Sequence, residues 1–352
     1  MKVALVGLGM VAGTHVRAIA DSDGLELVAL HARDGTKARA FAAKVAARRD
    51  GVAPRVHDGL EALASDPDID FVILCTPPNA RADIVEVLVD AGKPILMEKP
   101  VERDLGAAEA IVERCERAGV PLGIVLQHRL RPVVAHLRRA LAEGVLGELA
   151  VLEMAVPWWR PQAYYDEPGR GSYARDGGGV LINQAIHSID LTLSLVGPVA
   201  RVQAMARTSA LHAMEAEDHV SAGLEFANGA IGSLVASTAN FPGGPESVTL
   251  HGTEGSALLR AGRLEIRTRD GEVQALGEEG DTGGGADPMA FTHAWHRSVI
   301  EDFAVSLGER RAPAISGRDA LAAHRLIDAI TRSSTSGTIV EVATEPARGQ
   351  RA

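Results

Sequence analysis

A short apolar strand followed by closely spaced glycines opens the chain and limits its fold more than any other feature. Val3 to Val6 is apolar throughout, as in a parallel strand buried on both faces, and a helical pattern follows from Thr14 to Ala20. Between them, Gly7, Gly9 and Ala12 match the fingerprint G-x-G-x-x-G/A. This order predicts a dinucleotide-binding βαβ unit, and the alternative interpretation is a plain strand-to-helix turn.

Each position of the fingerprint has a physical role. Gly7 allows a tight turn, Gly9 lets the backbone approach a pyrophosphate, and Ala12 lets the helix pack close to the strand. The N–H groups at the start of the helix favour an anion, so Met10 and Val11 are also predicted to contact the cofactor.

Strand and helix patterns alternate through residues 1–124, which predicts an α/β chain that begins with a Rossmann domain, a doubly wound parallel sheet. Ligands of such sheets bind beyond the carboxyl ends of the strands. Four residues stand at these ends, and we expect one cleft to collect them: Gly7, Ala32, Thr76 and Lys99.

The pattern changes after about residue 125 to short, closely spaced strands, which predicts a C-terminal α+β domain over 125–342 with an open, largely antiparallel sheet. Asn228-Gly229 is typical of a tight hairpin turn between two of these strands. A helix is predicted from Pro288 to Leu307, and residues 343–352 are predicted to be a frayed tail.

Charge and composition exclude several classes of binding partner. The formal charge of −10 argues against nucleic acid or an anionic membrane as a partner, and no apolar run approaches the ~20 residues of a membrane span. Met1 leads directly into the first strand without a signal-peptide pattern. Cys75 and Cys115 are the only cysteines. We therefore expect a cytoplasmic protein with a small-molecule substrate and no metal site.

The end of the second predicted strand is where the ribose of a bound dinucleotide would be recognised. Ala32 occupies the position where an acidic residue would hold the ribose hydroxyls of NAD. Arg33 can pair with a 2′-phosphate, and Thr36 and Lys37 stand close by. Asp34 can still reach a ribose, so NADP is favoured over NAD without excluding it.

Three motifs occur in a set order: GLGMVA at the start, MEKP at residues 97–100, and DGGGVLINQAIHSID at residues 176–190. In this order and spacing, nearly the whole chain resembles the Gfo/Idh/MocA family of nicotinamide-dependent oxidoreductases. The resemblance implies a Rossmann domain followed by an α/β domain, and hydride transfer at an alcohol carbon of a sugar, cyclitol or related compound. It also implies that the lysine of E-K-P and the histidine of the third motif, Lys99 and His187, are the catalytic pair.

The chemistry of these residues supports the same roles. Asn183, His187 and Asp190 are spaced by four and three residues, so one face of a helix would present all three. An imidazole with an unperturbed pKa near ~6.5 suits removal of a hydroxyl proton as hydride leaves the same carbon. Lys99 would share the proton or polarise the substrate oxygen. The alternatives are a hydrogen-bonded structural histidine and a lysine at the surface end of a strand.

The sequence departs from the family pattern in two places. Asn183 stands where many members carry an aspartate, and an amide cannot take a proton, so we predict that Asn183 orients the substrate. Asp190 is predicted to orient the substrate or to cap a neighbouring group. The resulting N-Q-x-x-H variant is similar to nucleotide-sugar 3-dehydrogenases. Arg81 stands where the family often has histidine after the T-P-x motif.

The remaining site residues lie near these motifs. Trp158, Arg160 and Tyr164 are predicted to contact a sugar ring or an acidic group, together with His128 at the entry to the second domain. A loop tucked onto the sheet by its aromatics is the alternative. Further cofactor contacts are expected from Thr76, Pro77, Asn79, Glu98 and Lys99.

Two hypotheses follow. The first is an NAD(P)-dependent oxidoreductase that acts on a secondary alcohol of a sugar, cyclitol or nucleotide sugar. The second is a non-catalytic nucleotide or sugar sensor of the same fold, against which the presence of both Lys99 and His187 argues. By analogy at the level of the fold, an exposed sheet face favours a homo-dimer or homo-tetramer.

Overall fold

The computed structural model of the chain describes residues 1–47 and 52–343. The predicted tail at 343–352 lies outside these residues except for its first position. Among the described residues, no helix is both long and apolar enough to cross a lipid bilayer.

The elements follow in chain order. The strands are β1 (Lys2–Val6), β2 (Glu26–His31), β3 (Arg55–Val56), β4 (Phe71–Leu74), β5 (Ile95–Glu98), β6 (Leu122–Val125), β7 (Leu149–Pro157), β8 (Val199–Arg207), β9 (His219–Phe226), β10 (Ile231–Ser237), β11 (Ser247–Gly252), β12 (Gly255–Arg260), β13 (Arg263–Thr268), β14 (Val273–Leu276) and β15 (Val340–Glu341). The α-helices are α1 (Ala12–Ala20), α2 (Gly35–Ala46), α3 (Leu60–Ala64), α4 (Arg81–Asp90), α5 (Leu105–Ala118), α6 (Pro132–Ala142), α7 (Gln162–Tyr165), α8 (Ile186–Val196), α9 (Ala294–Glu309) and α10 (Gly317–Ser336). Two 3₁₀ turns (Pro78–Ala80, Gln127–Leu130) and one π-helical turn (Leu181–Ala185) complete the set.

The first sheet has six parallel strands in the order β3-β2-β1-β4-β5-β6. The order reverses direction at β1, which is the switch point where doubly wound sheets bind their ligands. Every residue of β4, β5 and β6 is buried, as expected for parallel strands covered on both faces. The predicted Rossmann sheet is confirmed, with β3 as a short edge strand that the sequence pattern did not show.

The chain divides into two compact units, Met1–Gln127 with Thr292–Leu321, and His128–Phe291 with the described part of Ala322–Ala352. The sequence analysis placed residues 292–321 in the second domain, whereas the structure groups them with the first unit. The reason is packing on the parallel sheet. The ring of Phe303 in α9 meets Phe71 at 5.4 Å, and a Cβ on Gly123 would lie 2.6 Å from that ring.

The second sheet has nine strands in the order β14-β13-β12-β11-β7-β10-β9-β8-β15. All neighbours are antiparallel except β7 and β10, so the predicted largely antiparallel sheet is confirmed. The hairpin at Asn228-Gly229 joins β9 to β10, with Gly229 at φ +88°, a left-handed conformation that favours glycine.

Two parts of this region differ from the sequence analysis. The helix predicted from Pro288 begins only at Ala294, because Thr282 and Phe291 form an isolated bridge just before it. The segment 157–178, whose aromatic residues allowed the interpretation of a loop packed on the sheet, contains the short helix α7, and β14 was not predicted.

Candidate active site

The glycine turn after β1 has the geometry that the fingerprint predicts. Gly7 has φ +92°, and a Cβ there would lie 2.8 Å from the backbone of Cys75 and Thr76, so β1 and β4 approach closely at their ends. A Cβ on Gly9 would meet nothing within 4 Å, which leaves open space beside the start of α1. Ala12 is fully buried where α1 packs on the sheet. These features fit a pyrophosphate at the helix N-terminus.

The start of α1 offers backbone groups rather than side chains. Its N-cap is Val11, which makes no side-chain cap hydrogen bond, and Met10 is half exposed. The N–H groups of Ala12 and Thr14 are bonded to the carbonyl oxygens of Gly9 and Val11, so an anion at this N-terminus would be favoured mainly by the helix dipole and by the absence of a capping side chain.

The end of β2 carries the residues that were predicted to select the cofactor. Ala32 is half-buried, and Arg33, Thr36 and Lys37 are exposed. The carboxylate of Asp34 caps α2, accepting hydrogen bonds from the backbone N–H of Thr36 at 2.9 Å and of Lys37 at 3.1 Å. Asp34 is therefore engaged in the helix cap, and the sequence interpretation that left it free for a ribose did not foresee this.

The end of β4 leads through Thr76 and Pro77 into the 3₁₀ turn that contains Asn79. Thr76 is half-buried, while Pro77 and Asn79 are exposed. The end of β5 lies beside it in the sheet and leads into Lys99, which is half-buried. The first unit thus places the predicted cofactor residues after neighbouring strands.

A buried ion pair lies beneath the turn that bears Lys99. His15 of α1 and the carboxylate of Glu98 lie 2.8 Å apart, and both are buried. Burial alone would lower the pKa of His15, but Cys75 and Glu98 raise it to about 10. Burial would raise the pKa of Glu98, but His15, His296 and Lys99 lower it to about 2. At neutral pH this is an imidazolium–carboxylate pair.

A second histidine completes this cluster. Nε2 of His296 in α9 lies 3.8 Å from the carboxylate of Glu98, and burial lowers the pKa of His296 to about 3. Within residues 1–47 and 52–343, ligand atoms of His15, Glu98 and His296 lie within 4.8 Å of one another, close enough to hold a metal ion. The 2.8 Å distance between Nε2 of His15 and the carboxylate of Glu98 is that of a hydrogen bond, which places a proton between these two groups. Sequence reasoning missed both histidines.

Arg81, whose meaning the sequence left open, is buried at the start of α4. Its Nε and Nη2 donate to the carbonyl oxygen of Thr76 at 3.1 and 2.8 Å, and its Nη1 donates to the carbonyl oxygens of Glu98 and Pro100. Arg81 therefore connects the ends of β4 and β5.

In the second unit, the glycine run before His187 brings one backbone close to another. A Cβ on Gly179 would lie 1.7 Å from the carbonyl oxygen of Glu217, which accepts a hydrogen bond from the N–H of Val180 at 2.8 Å. The carboxylate of Glu217 accepts from the N–H groups of Gly179 at 3.2 Å and Leu181 at 3.0 Å. Burial raises the pKa of Glu217. No sequence signal pointed to Glu217 as a helix cap.

The helix predicted to carry Asn183, His187 and Asp190 begins with a π-helical turn, Leu181–Ala185, before α8. Such turns are rare and frequently lie at functional sites. Within it, Nδ2 of Asn183 donates to the carbonyl oxygens of Gly178 at 2.8 Å and Gly179 at 3.1 Å. A carboxylate cannot donate these bonds, so an amide suits this position better than the aspartate of many relatives.

His187 and Asp190 both contact the 3₁₀ turn Gln127–Leu130. The rings of His187 and His128 stack at 4.9 Å with 28° between their planes. Asp190 is fully buried and accepts from Nε of Arg129 at 2.6 Å and from its Nη2. His187 and Asp190 therefore share a face, and Asp190 is held in an ion pair. The spacing predicted Asn183 on that face as well, but Asn183 lies in the π-helical turn, where its amide bonds to the glycine run.

The aromatic loop is packed against the second unit's sheet. Trp158 is buried, and its backbone N–H donates to the carbonyl oxygen of Ser237 at 2.9 Å. Arg160 is buried, and its Nη1 donates to the carbonyl oxygens of Trp159 at 2.8 Å and Gly285 at 2.6 Å. Tyr164 is half-buried, with guanidinium groups over its ring. These contacts favour the alternative interpretation of Trp158 and Arg160 as residues that hold the loop.

A buried histidine and aspartate that sequence reasoning missed lie beneath the same loop. Nδ1 of His212 lies 2.8 Å from Asp218, and its Nε2 lies 2.8 Å from the carbonyl oxygen of Arg160. The ring of His212 also packs against Tyr165 at 4.9 Å. This network attaches the loop to the start of β9, because His212 bonds both to Arg160 of the loop and to Asp218, which immediately precedes that strand.

The glycine turn at the switch point of a doubly wound sheet puts the chain among the Rossmann dinucleotide-binding proteins. Sequence models of one family match both units: that of the NAD-binding Rossmann oxidoreductase domain over residues 1–125, and that of the Gfo/Idh/MocA C-terminal domain over residues 134–258. The chain belongs to the Gfo/Idh/MocA family of oxidoreductases, as the three motifs indicated.

Individual relatives cover nearly the whole chain. D-apiose dehydrogenase of Paraburkholderia graminis is 29% identical, over 97% of this chain and 89% of that protein. Inositol 2-dehydrogenase of Rhizobium meliloti is 28% identical, over 95% of this chain and 96% of that protein. The structure of WlbA dehydrogenase from Bordetella pertussis in complex with NADH and UDP-GlcNAcA is 27% identical with a TM-score of 0.81, covering 98% of this chain and 99% of that one.

Proposed function

We propose that the chain transfers a hydride between NAD(P) and a secondary alcohol carbon of a sugar, a cyclitol or a nucleotide sugar. The relatives support the substrate class, because they are named for D-apiose, inositol and, in the WlbA complex, a bound nucleotide sugar. The observation that carries the proposal is the place of Lys99, half-buried directly after β5 and at the same sheet edge as the glycine turn.

The residues of the first unit fit a dinucleotide. The pyrophosphate would lie in the open space beside Gly9, at the N-terminus of α1, which has no side-chain cap. Gly7, in a left-handed conformation, makes the turn that leads there. A nicotinamide bound there supplies the hydride acceptor or donor. We also propose that the cofactor contacts Thr76, Pro77 and Asn79 between its pyrophosphate and Lys99.

The chain's own side chains would move the proton. His187 is proposed to take the hydroxyl proton as general base, because a neutral imidazole can accept a proton at one of its ring nitrogens. Lys99 is proposed to polarise a substrate oxygen. Asn183 shapes the site by fixing the glycine run, since its amide hydrogens are bonded there.

A substrate panel tests this function. D-apiose, myo-inositol, levoglucosan and UDP-GlcNAcA are incubated with NAD⁺ or NADP⁺, and reduced nicotinamide is followed by absorbance. Lys99→Met is expected to lower kcat by about 10²- to 10⁴-fold with little change in cofactor affinity. Lys44→Met, the same substitution at an exposed position of α2, is the matched control. Turnover by Lys99→Met at the rate of the control refutes the proposed mechanism.

For the cofactor, we propose that NADP is preferred over NAD. Ala32 leaves no carboxylate to repel a 2′-phosphate, Asp34 is engaged in capping α2, and Arg33 and Lys37 are exposed. The shift in melting temperature with each cofactor measures the preference. Arg33→Ala is expected to weaken NADP binding about tenfold or more and to leave NAD binding unchanged. Equal weakening of both argues against a phosphate contact.

We also propose that the chain forms homo-oligomers through one face of its second sheet. The strand register puts Val151 beside Ile231, and it connects Met205 to Val235 through Ser221. The four apolar residues therefore share a face, and all are exposed, Met205 by 70%. Light scattering after gel filtration is expected to give a dimer or tetramer that Met205→Glu dissociates.

Location is a separate proposal. Cys75 and Cys115 are both buried and free, which fits a reducing compartment. We therefore propose the cytoplasm, and fractionation of the native host with antibodies against the chain tests it.

A further inference from the structure

Arg81 is a buried cation that the proposed chemistry does not use. It is 2% exposed at the first position of α4, and burial lowers its pKa to about 10. The guanidinium therefore remains charged at neutral pH. Taking a charge out of water is costly unless every donor finds a partner, so the contacts of this side chain indicate what it is retained for.

The partners of Arg81 are backbone carbonyls at two strand ends. Two of its nitrogens, Nε and Nη2, converge on the carbonyl of Thr76 at 3.1 and 2.8 Å, just after β4. The third, Nη1, donates to the carbonyls of Glu98 and Pro100, the residues immediately before and after Lys99. One planar side chain therefore holds both flanks of Lys99 and ties them to the neighbouring strand.

The geometry requires an arginine. A guanidinium presents its donors as a rigid fork that can face acceptors on two strands at once, whereas an ammonium is a point charge on a flexible stem. The nearby carboxylates of Glu98 and Glu102 act on its charge without taking up its donors. Glu98 is instead bonded to His15 on its other side. The turn that bears Lys99 is thus held by two kinds of contact. The ion pair of His15 with Glu98 fixes a side chain, and Arg81 fixes the backbone carbonyls.

We propose that Arg81 is a positioning residue that sets the place of the Lys99 ammonium by clamping the carbonyls on either side of it. The inference rests on the proposed function, because it assigns Arg81 its effect through Lys99. Misplacement of a reacting group by about 1 Å costs about 10²-fold in rate. A purely structural role of Arg81 would instead lower stability and leave the rate per folded molecule unchanged.

Arg81→Lys tests the proposal in the full-length protein, because it keeps the charge and removes the fork. Val85→Ala is the matched control, since Val85 is a buried residue one turn along α4 that touches none of these carbonyls by hydrogen bonding. Both variants are assayed below their melting temperatures with the panel substrate that the wild type turns over fastest. Hydrogen exchange of peptides covering residues 96–104 is followed by mass spectrometry.

We expect Arg81→Lys to lower kcat by about 10²-fold, with a much smaller change in the KM of the cofactor and faster exchange in residues 96–104. Val85→Ala should lower the melting temperature to a similar degree while keeping kcat within about twofold. Unchanged kcat in Arg81→Lys, or a loss no larger than that of Val85→Ala, overturns the proposal.

Lys99→Met, assayed in parallel, separates the two possible failures. Full turnover by Lys99→Met refutes the proposed function and this inference with it. Loss of turnover in Lys99→Met together with normal kcat in Arg81→Lys refutes the inference alone.

Discussion

The turn that bears Lys99 and the helix start that precedes His187 are held in place by opposite means. Beneath Lys99, buried charges pair with each other, His15 with Glu98, while Arg81 pairs with carbonyls. Before His187, two backbones approach so closely that Gly179 leaves no room for a side chain. Removing one partner of a buried charge network destabilises the fold, whereas a close backbone contact is destabilised by adding atoms to it.

Glu98→Gln gives the largest expected effect on stability. It leaves the His15 imidazolium buried without its carboxylate, and breaking a buried pair in this way costs about 3–5 kcal/mol. Glu86→Gln is the control, because Glu86 pairs with Arg114 at the surface, where a bridge contributes about 0–1 kcal/mol. Urea unfolding measures both. Similar losses in the free energy of unfolding of the two variants would mean that the buried pair stabilises the protein no more than the surface pair does.

Gly179→Ala tests the backbone contact of the second unit. The added Cβ must displace the carbonyl of Glu217, and we expect a loss of about 1–3 kcal/mol or more in the free energy of unfolding. Gly223→Ala in β9 adds the same methyl where nothing lies within 4 Å, and it should change stability by about 0.5 kcal/mol at most. If Gly179→Ala behaves like Gly223→Ala, the close approach does not constrain the helix.

Asn183→Asp tests whether the amide is needed for hydrogen bonding. An aspartate would face the carbonyls of Gly178 and Gly179 with an acceptor, so we expect a loss of about 1–2 kcal/mol. Asn183→Ala removes the bonds without the repulsion and should cost less. Thermal unfolding compares the three proteins. Greater stability of the aspartate variant would show that the helix N-terminus, which favours an anion, outweighs the two lost bonds.

The pH dependence of stability is the most gradual of these effects, with a slope of up to about 1.4 kcal/mol per pH unit. The pKa of His15 is raised to about 10, so its contribution is full below ~6.5 and is lost as the pH rises toward 10. His296 is buried neutral with a pKa of about 3, so stability also falls as the pH drops from ~6.5 toward 3. We expect the highest melting temperature near pH 6–7.

Substitution of the histidines separates the two limbs of this profile. His15→Gln should flatten the alkaline limb and His296→Gln the acid limb, whereas substitution of His136, exposed on α6, should change neither. A profile of unchanged shape in His15→Gln would show that the His15–Glu98 proton does not contribute.

Much of the fold was predictable because its causes are local. Each strand and helix is specified by neighbouring residues in the chain: by an apolar run, by a glycine in a tight turn, or by the spacing of its apolar residues. The glycine turn at Gly7, the parallel sheet and the hairpin at Asn228-Gly229 followed from such patterns. The catalytic candidates Lys99 and His187 were found in the same way, from short motifs.

The residues that hold Lys99 and His187 in place are brought together by contacts between distant parts of the chain. His15 lies 83 residues from Glu98, and Glu217 lies 38 residues from Gly179, so no local pattern connects them. The same holds for Phe303, which brings residues 292–321 onto the first sheet. Local residue order specifies which elements form and which chemistry they carry. Tertiary packing alone determines which buried charges meet and which backbones touch, because those energies exist only once the elements are in contact.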